Sequence, residues 1–134
     1  MLTDSRSLEV LPTRECLALL AGAQVARVIF TEHALPAVVP VTVAVLDESV
    51  YFRTTPDSRL ASLADGCVLT VQADAVDTVS RTGWSVVATG LAEVVTDPLR
   101  RAVVESVVTR WAPGDHTVCV RVPLTAITGR RVAA

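Results

Sequence analysis

Lysine is absent from this 134-residue sequence, in which all 12 basic side chains are arginines. The absence excludes Schiff-base chemistry on a lysine and a phosphate-binding loop of the Walker type. Aromatic residues make up only 4% of the chain and charged residues 19%, whereas hydrophobic residues make up 51%. This composition excludes a disordered chain and provides enough apolar surface for the core of one domain, residues 1–134.

Cysteine and histidine are also scarce. Cys16, Cys67 and Cys119 are widely spaced, and His33 and His116 are the two histidines, so no cluster with the spacing of a zinc site exists. The net charge of −2 argues against a general nucleic-acid binder, which would need a basic face. No uninterrupted apolar run reaches ~18 residues and no signal-like segment follows Met1. We therefore expect a soluble, cytoplasmic protein with no nucleic-acid or membrane partner and no metal.

Valine and alanine dominate the apolar residues, and their spacing predicts a mainly β protein of the α+β type. Valines alternate with other residues from Val39 to Val45, as in a strand with one buried face, and Pro40 predicts an edge or a bend there. Asp97-Pro98 predicts the start of a helix that runs to about Arg110, with Trp111 in the core. Gly90 predicts a bulge or the close approach of another backbone.

Six antiparallel strands and three helices in this order favour a closed or partly closed barrel. The strands are predicted over 25–30, 36–46, 50–54, 67–75, 84–96 and 117–122, the helices over 12–22, 58–65 and 98–110, and a basic tail over 127–134.

The segment from Arg53 to Arg59 carries the most chemistry. It holds two guanidinium groups, the hydroxyls of Thr54, Thr55 and Ser58, and a predicted helix start at Ser58. Guanidinium forks and free backbone N–H groups are typical of a phosphate site. The same pattern also fits a surface turn with a capping residue and two solvated arginines.

Beyond these patterns, the sequence resembles the flavin-binding split barrels related to pyridoxamine 5'-phosphate oxidase, and most closely the small actinobacterial members. The resemblance extends from about Leu11 to Arg131. It is carried by Leu35-Pro36, Pro40-Val41-Thr42, Phe52-Arg53-Thr54, Ser58-Arg59-Leu60, Gly83-Trp84-Ser85-Val86 and Thr128-Gly129-Arg130-Arg131.

The resemblance implies a six-stranded split β-barrel that forms an intimate homodimer with FMN at its interface. The phosphate would be held by the segment that contains Arg53, Thr54, Thr55, Ser58 and Arg59. The strand with Pro40, Val41 and Thr42 would present its backbone to the isoalloxazine ring, and Trp84 and Ser85 would lie near the ring or the ribityl chain. Two positions depart from the family, which usually has Lys in place of Arg59 and often has Asn in place of Thr42.

Several readings of the function stay open. The leading one is an FMN-dependent oxidoreductase that acts on a small-molecule substrate or a nicotinamide. The alternatives are a non-catalytic protein that binds or senses flavin, deazaflavin or haem, and a structural dimer without a cofactor. Arg27, Gln72 and Asp74 either reach the same pocket or lie on the surface. No Ser-His-Asp arrangement is present in the sequence pattern, so hydrolysis is disfavoured and no catalytic side chain is assigned.

Overall fold

The computed structural model describes residues 8–109 and 113–132, which form an antiparallel sheet and three helices. The helices are α1 (Thr13–Gly22), α2 (Arg59–Leu63) and α3 (Pro98–Val107). The strands are β1 (Glu9–Val10), β2 (Val25–Glu32), β3 (Leu35–Leu46), β4 (Ser49–Thr54), β5 (Val68–Asp77), β6 (Thr82–Leu91), β7 (Glu93–Val94), β8 (Val118–Pro123) and β9 (Ala126–Val132).

The sheet has nine strands in the described part of the chain, in the order β1-β9-β6-β5-β2-β3-β4-β8-β7, where the sequence predicts six. Strand β7 is separate because the predicted strand over 84–96 breaks at Ala92, whose N–H donates to the carbonyl of Cys67 instead of a ladder partner. Strand β9 replaces most of the predicted basic tail, since residues 126–132 pair with β6 over seven positions. The mainly antiparallel β fold is confirmed, and the predicted strand count is wrong.

Strand β3 pairs with β2 along its first part and with β4 along its last part. Thr42 is opposite Val25 on β2, whereas the ladder with β4 begins only at Val43, opposite Phe52. Pro40 therefore lies before the β4 ladder begins. A proline is tolerated at such a position because it has no N–H to donate. The predicted edge-like character of the strand at Pro40 is confirmed for its β4 side.

The sheet curls so that β6 and β8, which are not ladder neighbours, meet at their ends. A Cβ added at Gly90 would lie 1.8 Å from the carbonyl oxygen of Pro123, so only glycine fits there without a backbone shift. The predicted close approach of another backbone at Gly90 is confirmed. This contact gives the sheet the shape of a half-open barrel.

One core fills the inside of the curl. Phe52, Leu20 and Leu69 are the largest of its fully buried side chains. On β3 the alternation is as predicted, with Val41 and Val43 buried and Pro40 exposed. Helix α1 covers the core through Cys16 and Leu20, and Gly129 on β9 lies where an added Cβ would be 2.6 Å from the Cys16 sulfur. The core is thus built from valine-rich strands and is covered by α1 and, through Leu60, by α2.

The opposite side of β2, β3, β5 and β6, here called the outer face, carries the residues that alternate with the core residues. Exposed apolar side chains are frequent on it: Val25, Val38, Val68, Val76, Val87 and Leu91. Exposed apolar surface of this extent on one face of a sheet is typical of an interaction surface.

Helix α3 begins where the sequence predicts it. The Asp97 carboxylate accepts a hydrogen bond from the backbone N–H of Arg100 at 3.0 Å, and Pro98 occupies the first turn. The predicted end near Arg110 is wrong, because α3 ends at Val107 and Val108 already has extended backbone angles. The predicted core position of Trp111 lies outside the described residues. Within 8–109 and 113–132, no helix combines the length and hydropathy that crossing a membrane requires.

Candidate functional site

Arg53 is held at the end of β4 by two backbone carbonyls. Its Nε donates to the carbonyl of His116 at 2.9 Å, and its Nη1 donates to the carbonyl of Val108 at 3.2 Å. Val108 is the C-cap of α3, where carbonyls lack helical partners and a cation is favourable. The hydrogen bonds between described residues leave Nη2 of Arg53 uncommitted, so the guanidinium is fixed and still has donors to offer.

A cavity of about 280 Å³ lies beside this guanidinium. It brings together half of the predicted site residues, and no carboxylate lies among the described residues that line it. Since the bonds of Arg53 go to neutral carbonyls, its positive charge is not neutralised by a carboxylate there, and the cavity favours an anion. The lining consists of Val39, Pro40, Val41, Thr42, Arg53, Thr54, Thr109 and His116.

The Thr42 hydroxyl donates to the backbone carbonyl of Thr109. Its oxygen keeps acceptor capacity, but its single proton is already used. Thr42 therefore helps to fix the segment after α3 against β3. An Asn at this position would add a second donor at this wall of the cavity.

The turn after β4 is organised around the Ser58 hydroxyl. It donates to the carbonyl of Thr55 at 2.8 Å, accepts from the N–H of Ala61 at 3.0 Å, and lies 2.8 Å from the Thr54 hydroxyl. These contacts use all the hydrogen-bonding capacity of a hydroxyl group. The surface-turn interpretation thus describes Ser58 correctly as the cap of α2, and its role as a phosphate contact stays a prediction.

Arg59 points to a different set of partners. Its Nε donates to the Glu32 carboxylate at 2.9 Å, and its Nη2 lies 3.4 Å from Nε2 of His33. The side chain is 59% exposed and does not line the Arg53 cavity. Its charge is partly compensated by Glu32, so a phosphate role for Arg59 also stays a prediction.

Trp84 and Ser85 line a separate cavity of about 490 Å³, along with Asp74 and Arg130. Strands β5 and β2 lie between β6 and β3, which puts Trp84 and Ser85 three strand spacings, roughly 14 Å, from the strand that carries Thr42. The predicted site residues therefore fall into two groups within one chain.

Three candidates that the sequence leaves open form one network on the outer face. Arg27 Nη1 donates to Gln72 Oε1 at 3.1 Å, and Gln72 Nε2 donates to Asp74 Oδ2 at 2.8 Å and to Ser85 Oγ at 3.3 Å. Arg27 is also 3.5 Å from the Asp74 carboxylate. Of the three, Asp74 lines the cavity of Ser85, and none lines the cavity of Arg53.

Sequence reasoning missed the carbonyls of Val108, Thr109 and His116, because backbone acceptors leave no trace in residue type.

A nucleophilic role for Cys119, which is opposite Arg53 in the ladder, is disfavoured, since burial raises the pKa of its thiol.

Comparison with known proteins agrees with this fold. Residues 12–131 match the family described as pyridoxamine 5'-phosphate oxidase. The uncharacterized protein Rv0080 of Mycobacterium tuberculosis is 37% identical over an alignment of 136 positions, which covers 98% of this chain and 90% of that protein.

Two solved structures share the fold over nearly their whole length. The FAD binding protein from Mycobacterium smegmatis is 29% identical, with a TM-score of 0.74, over 94% of this chain and 99% of that one. A FAD-binding protein from Mesorhizobium loti is 25% identical, with a TM-score of 0.79 and the same coverage. The predicted split-barrel architecture is confirmed by these matches. The chain belongs to the pyridoxamine 5'-phosphate oxidase family.

Proposed function

We propose that this chain is a flavin-binding protein that uses FMN as a redox cofactor. The family assignment and the two FAD-binding structural relatives support a flavin. The observation that carries the proposal is the Arg53 cavity, where a fixed guanidinium with an uncommitted Nη2 lines a concave site free of carboxylates among its described residues. Such a site suits the dianionic phosphate of FMN.

The residues of this cavity fit the phosphate end of FMN. Arg53 would supply charge-assisted hydrogen bonds to the phosphate, whereas Thr54 lines the same cavity but donates its hydroxyl proton to Ser58. The cavity volume of about 280 Å³ is just below ~300–1,000 Å³, the usual range for small-molecule sites. It therefore suits a phosphate and part of the ribityl chain, while the ring would lie outside it against Pro40.

We further propose that the ring site is completed by a second copy of the chain. Trp84 and Ser85 lie roughly 14 Å across the sheet from Thr42, with β2 and β5 between them, and they do not line the Arg53 cavity of their own chain. The exposed apolar residues of the outer face support a two-fold interface. In such a homodimer, Ser85 of one subunit would face the Arg53 cavity of the other, whereas Trp84 packs against the core of its own subunit and would line the edge of the same region.

The chemistry we propose is electron transfer between the flavin and a small-molecule substrate or a nicotinamide in the cytoplasm. When bound, the flavin supplies the redox chemistry, and the chain supplies binding, orientation and electrostatics. His116 is the titratable side chain besides Arg53 that lines the described cavity, and its Nδ1 lies 3.1 Å from the carbonyl of Gly114. Acid–base catalysis by the cavity therefore depends on His116 alone among the described residues.

FAD is the second candidate, because two structural relatives are FAD-binding proteins. FAD carries a diphosphate and an adenosine that must extend past Arg53. Calorimetry with FMN and with FAD distinguishes the two candidates. A site that ends at a monophosphate should bind FMN and exclude the larger FAD.

The test of the phosphate site is Arg53→Ala, titrated with FMN and with riboflavin, which has no phosphate. Charge-assisted hydrogen bonds are worth ~1.5–3 kcal/mol, so FMN affinity should fall by roughly tenfold to a hundredfold while riboflavin affinity changes little. Arg14→Ala on α1, an exposed arginine, is the matched control. Equal losses for FMN and riboflavin would contradict the assignment, and retention of riboflavin binding shows that the variant is folded.

A further inference from the structure

The outer face has a charged centre within its apolar surface. Arg27 on β2 and Asp74 on β5 lie on adjacent strands in the middle of the sheet, with Gln72 between them. Their exposed apolar neighbours on the same face include Val25, Val38 and Val87. Full burial of such a face would take one positive and one negative group out of water.

Within one chain the pairing of these charges is weak. The distance from Arg27 Nη1 to Asp74 Oδ2 is 3.5 Å, and the side chains are 51% and 34% exposed. The better hydrogen bonds of both groups go to Gln72, at 3.1 Å from Arg27 and 2.8 Å from Asp74. Both side chains are partly exposed and therefore keep hydrogen-bonding capacity for a further partner.

Building on the homodimer proposed above, we propose that Arg27 of each subunit pairs with Asp74 of the partner subunit across the two outer faces. A two-fold interface must be self-complementary, and one opposite-charge pair on the face meets this condition. Because Arg27 is in register with Gln72 and Asp74 lies two residues further along β5, an axis in the interface plane that passes between Arg27 and Asp74 at right angles to the line joining them puts each arginine opposite an aspartate. Burying either charge unpaired is costly, so the two exchanged ion pairs select this register over others.

The test uses two charge reversals, Arg27→Asp and Asp74→Arg. In each variant alone, every contact between positions 27 and 74 joins like charges, within a chain and between chains. In a mixture, both contacts between the two chains become opposite, while the contacts within each chain stay like-charged. Heterodimer formation therefore reports pairing between chains only.

We expect each variant alone to dimerise at least about tenfold more weakly than the wild type, measured by sedimentation equilibrium. The mixture should form heterodimers well above the statistical half, measured by native mass spectrometry after subunit exchange. The control pair is Arg14→Asp on α1 and Glu48→Arg in the β3–β4 turn, which makes the same charge changes at exposed positions away from the outer face. This pair should mix statistically.

Two results overturn the inference. A wild-type dimer whose charge-reversal variants mix statistically refutes the exchanged pairing and leaves the proposed dimer standing. A wild type that stays monomeric at micromolar concentration refutes the dimer and the pairing together. The proposed phosphate site is judged separately, by the Arg53→Ala titration.

Discussion

Glu32 holds Arg59 in an ion pair and should therefore compete with a flavin phosphate for that arginine. The carboxylate accepts from Arg59 Nε at 2.9 Å and is itself 27% exposed, whereas Arg59 is 59% exposed. Replacing Glu32 with Gln keeps the shape of the side chain and removes its charge. We expect Glu32→Gln to tighten FMN binding, because Arg59 is then released to the phosphate.

The exposure of the pair sets the size of the effect. Exposed ion pairs are worth about 0.2–1 kcal/mol, which corresponds to a gain in FMN affinity of between about 1.4-fold and fivefold. The gain should shrink at high salt, since the interaction of exposed charges is screened. Riboflavin has no phosphate, so its affinity should stay unchanged.

Isothermal titration calorimetry with FMN and riboflavin at two salt concentrations measures these changes in affinity. Glu93→Gln is the matched control, because Glu93 pairs with Arg121 at 2.8 Å on the β7–β8 side of the sheet and its loss changes the net charge equally. A loss of FMN affinity in Glu32→Gln would show that Glu32 positions Arg59 instead of competing for it. Equal effects of the two variants would show that only net charge matters.

Two further predictions concern packing and the thiols. Gly90→Ala should lower the free energy of unfolding, measured by urea denaturation, by ~3 kcal/mol, because its Cβ would lie 1.8 Å from the Pro123 carbonyl oxygen. The control is Gly22→Ala on α1, whose Cβ would meet nothing within 4 Å, so this variant should be neutral or stabilising. A Gly90→Ala variant as stable as the wild type would refute the proposed contact. In the native protein a thiol reagent should modify Cys67 fast and Cys16 and Cys119 slowly, because the latter two are buried and burial raises the pKa of their thiols. Equal rates for all three cysteines in the folded protein would contradict this.

The sequence predicts the strands that bury an alternating valine face. It fails for β9, whose Thr128, Arg130 and Arg131 look like a solvated tail. That strand exists because β6 offers it a ladder and because Gly129 permits α1 to approach closely. Such a strand is stabilised by its neighbours in the sheet more than by the β propensity of its own residues. A single sequence does not show which neighbours the strand will have.

For the candidate site, the sequence identified the right segment and left its contacts open. Pro40, Thr42 and Arg53 do meet in one cavity. The partners of Arg53, however, are carbonyls 55 and 63 residues away in the chain. Long-range contacts of this kind depend on the complete topology, so the split between Arg53 and Arg59 was not predictable from their shared turn.

Titration of the wild-type protein with FMN and riboflavin, followed by flavin fluorescence, shows whether this chain binds a flavin through its phosphate. We expect saturable FMN binding in the micromolar range or tighter, with riboflavin bound more weakly because Arg53 has no phosphate to contact. Flavin fluorescence that stays unchanged up to millimolar FMN, with the protein folded, would contradict the claim that this chain binds a flavin.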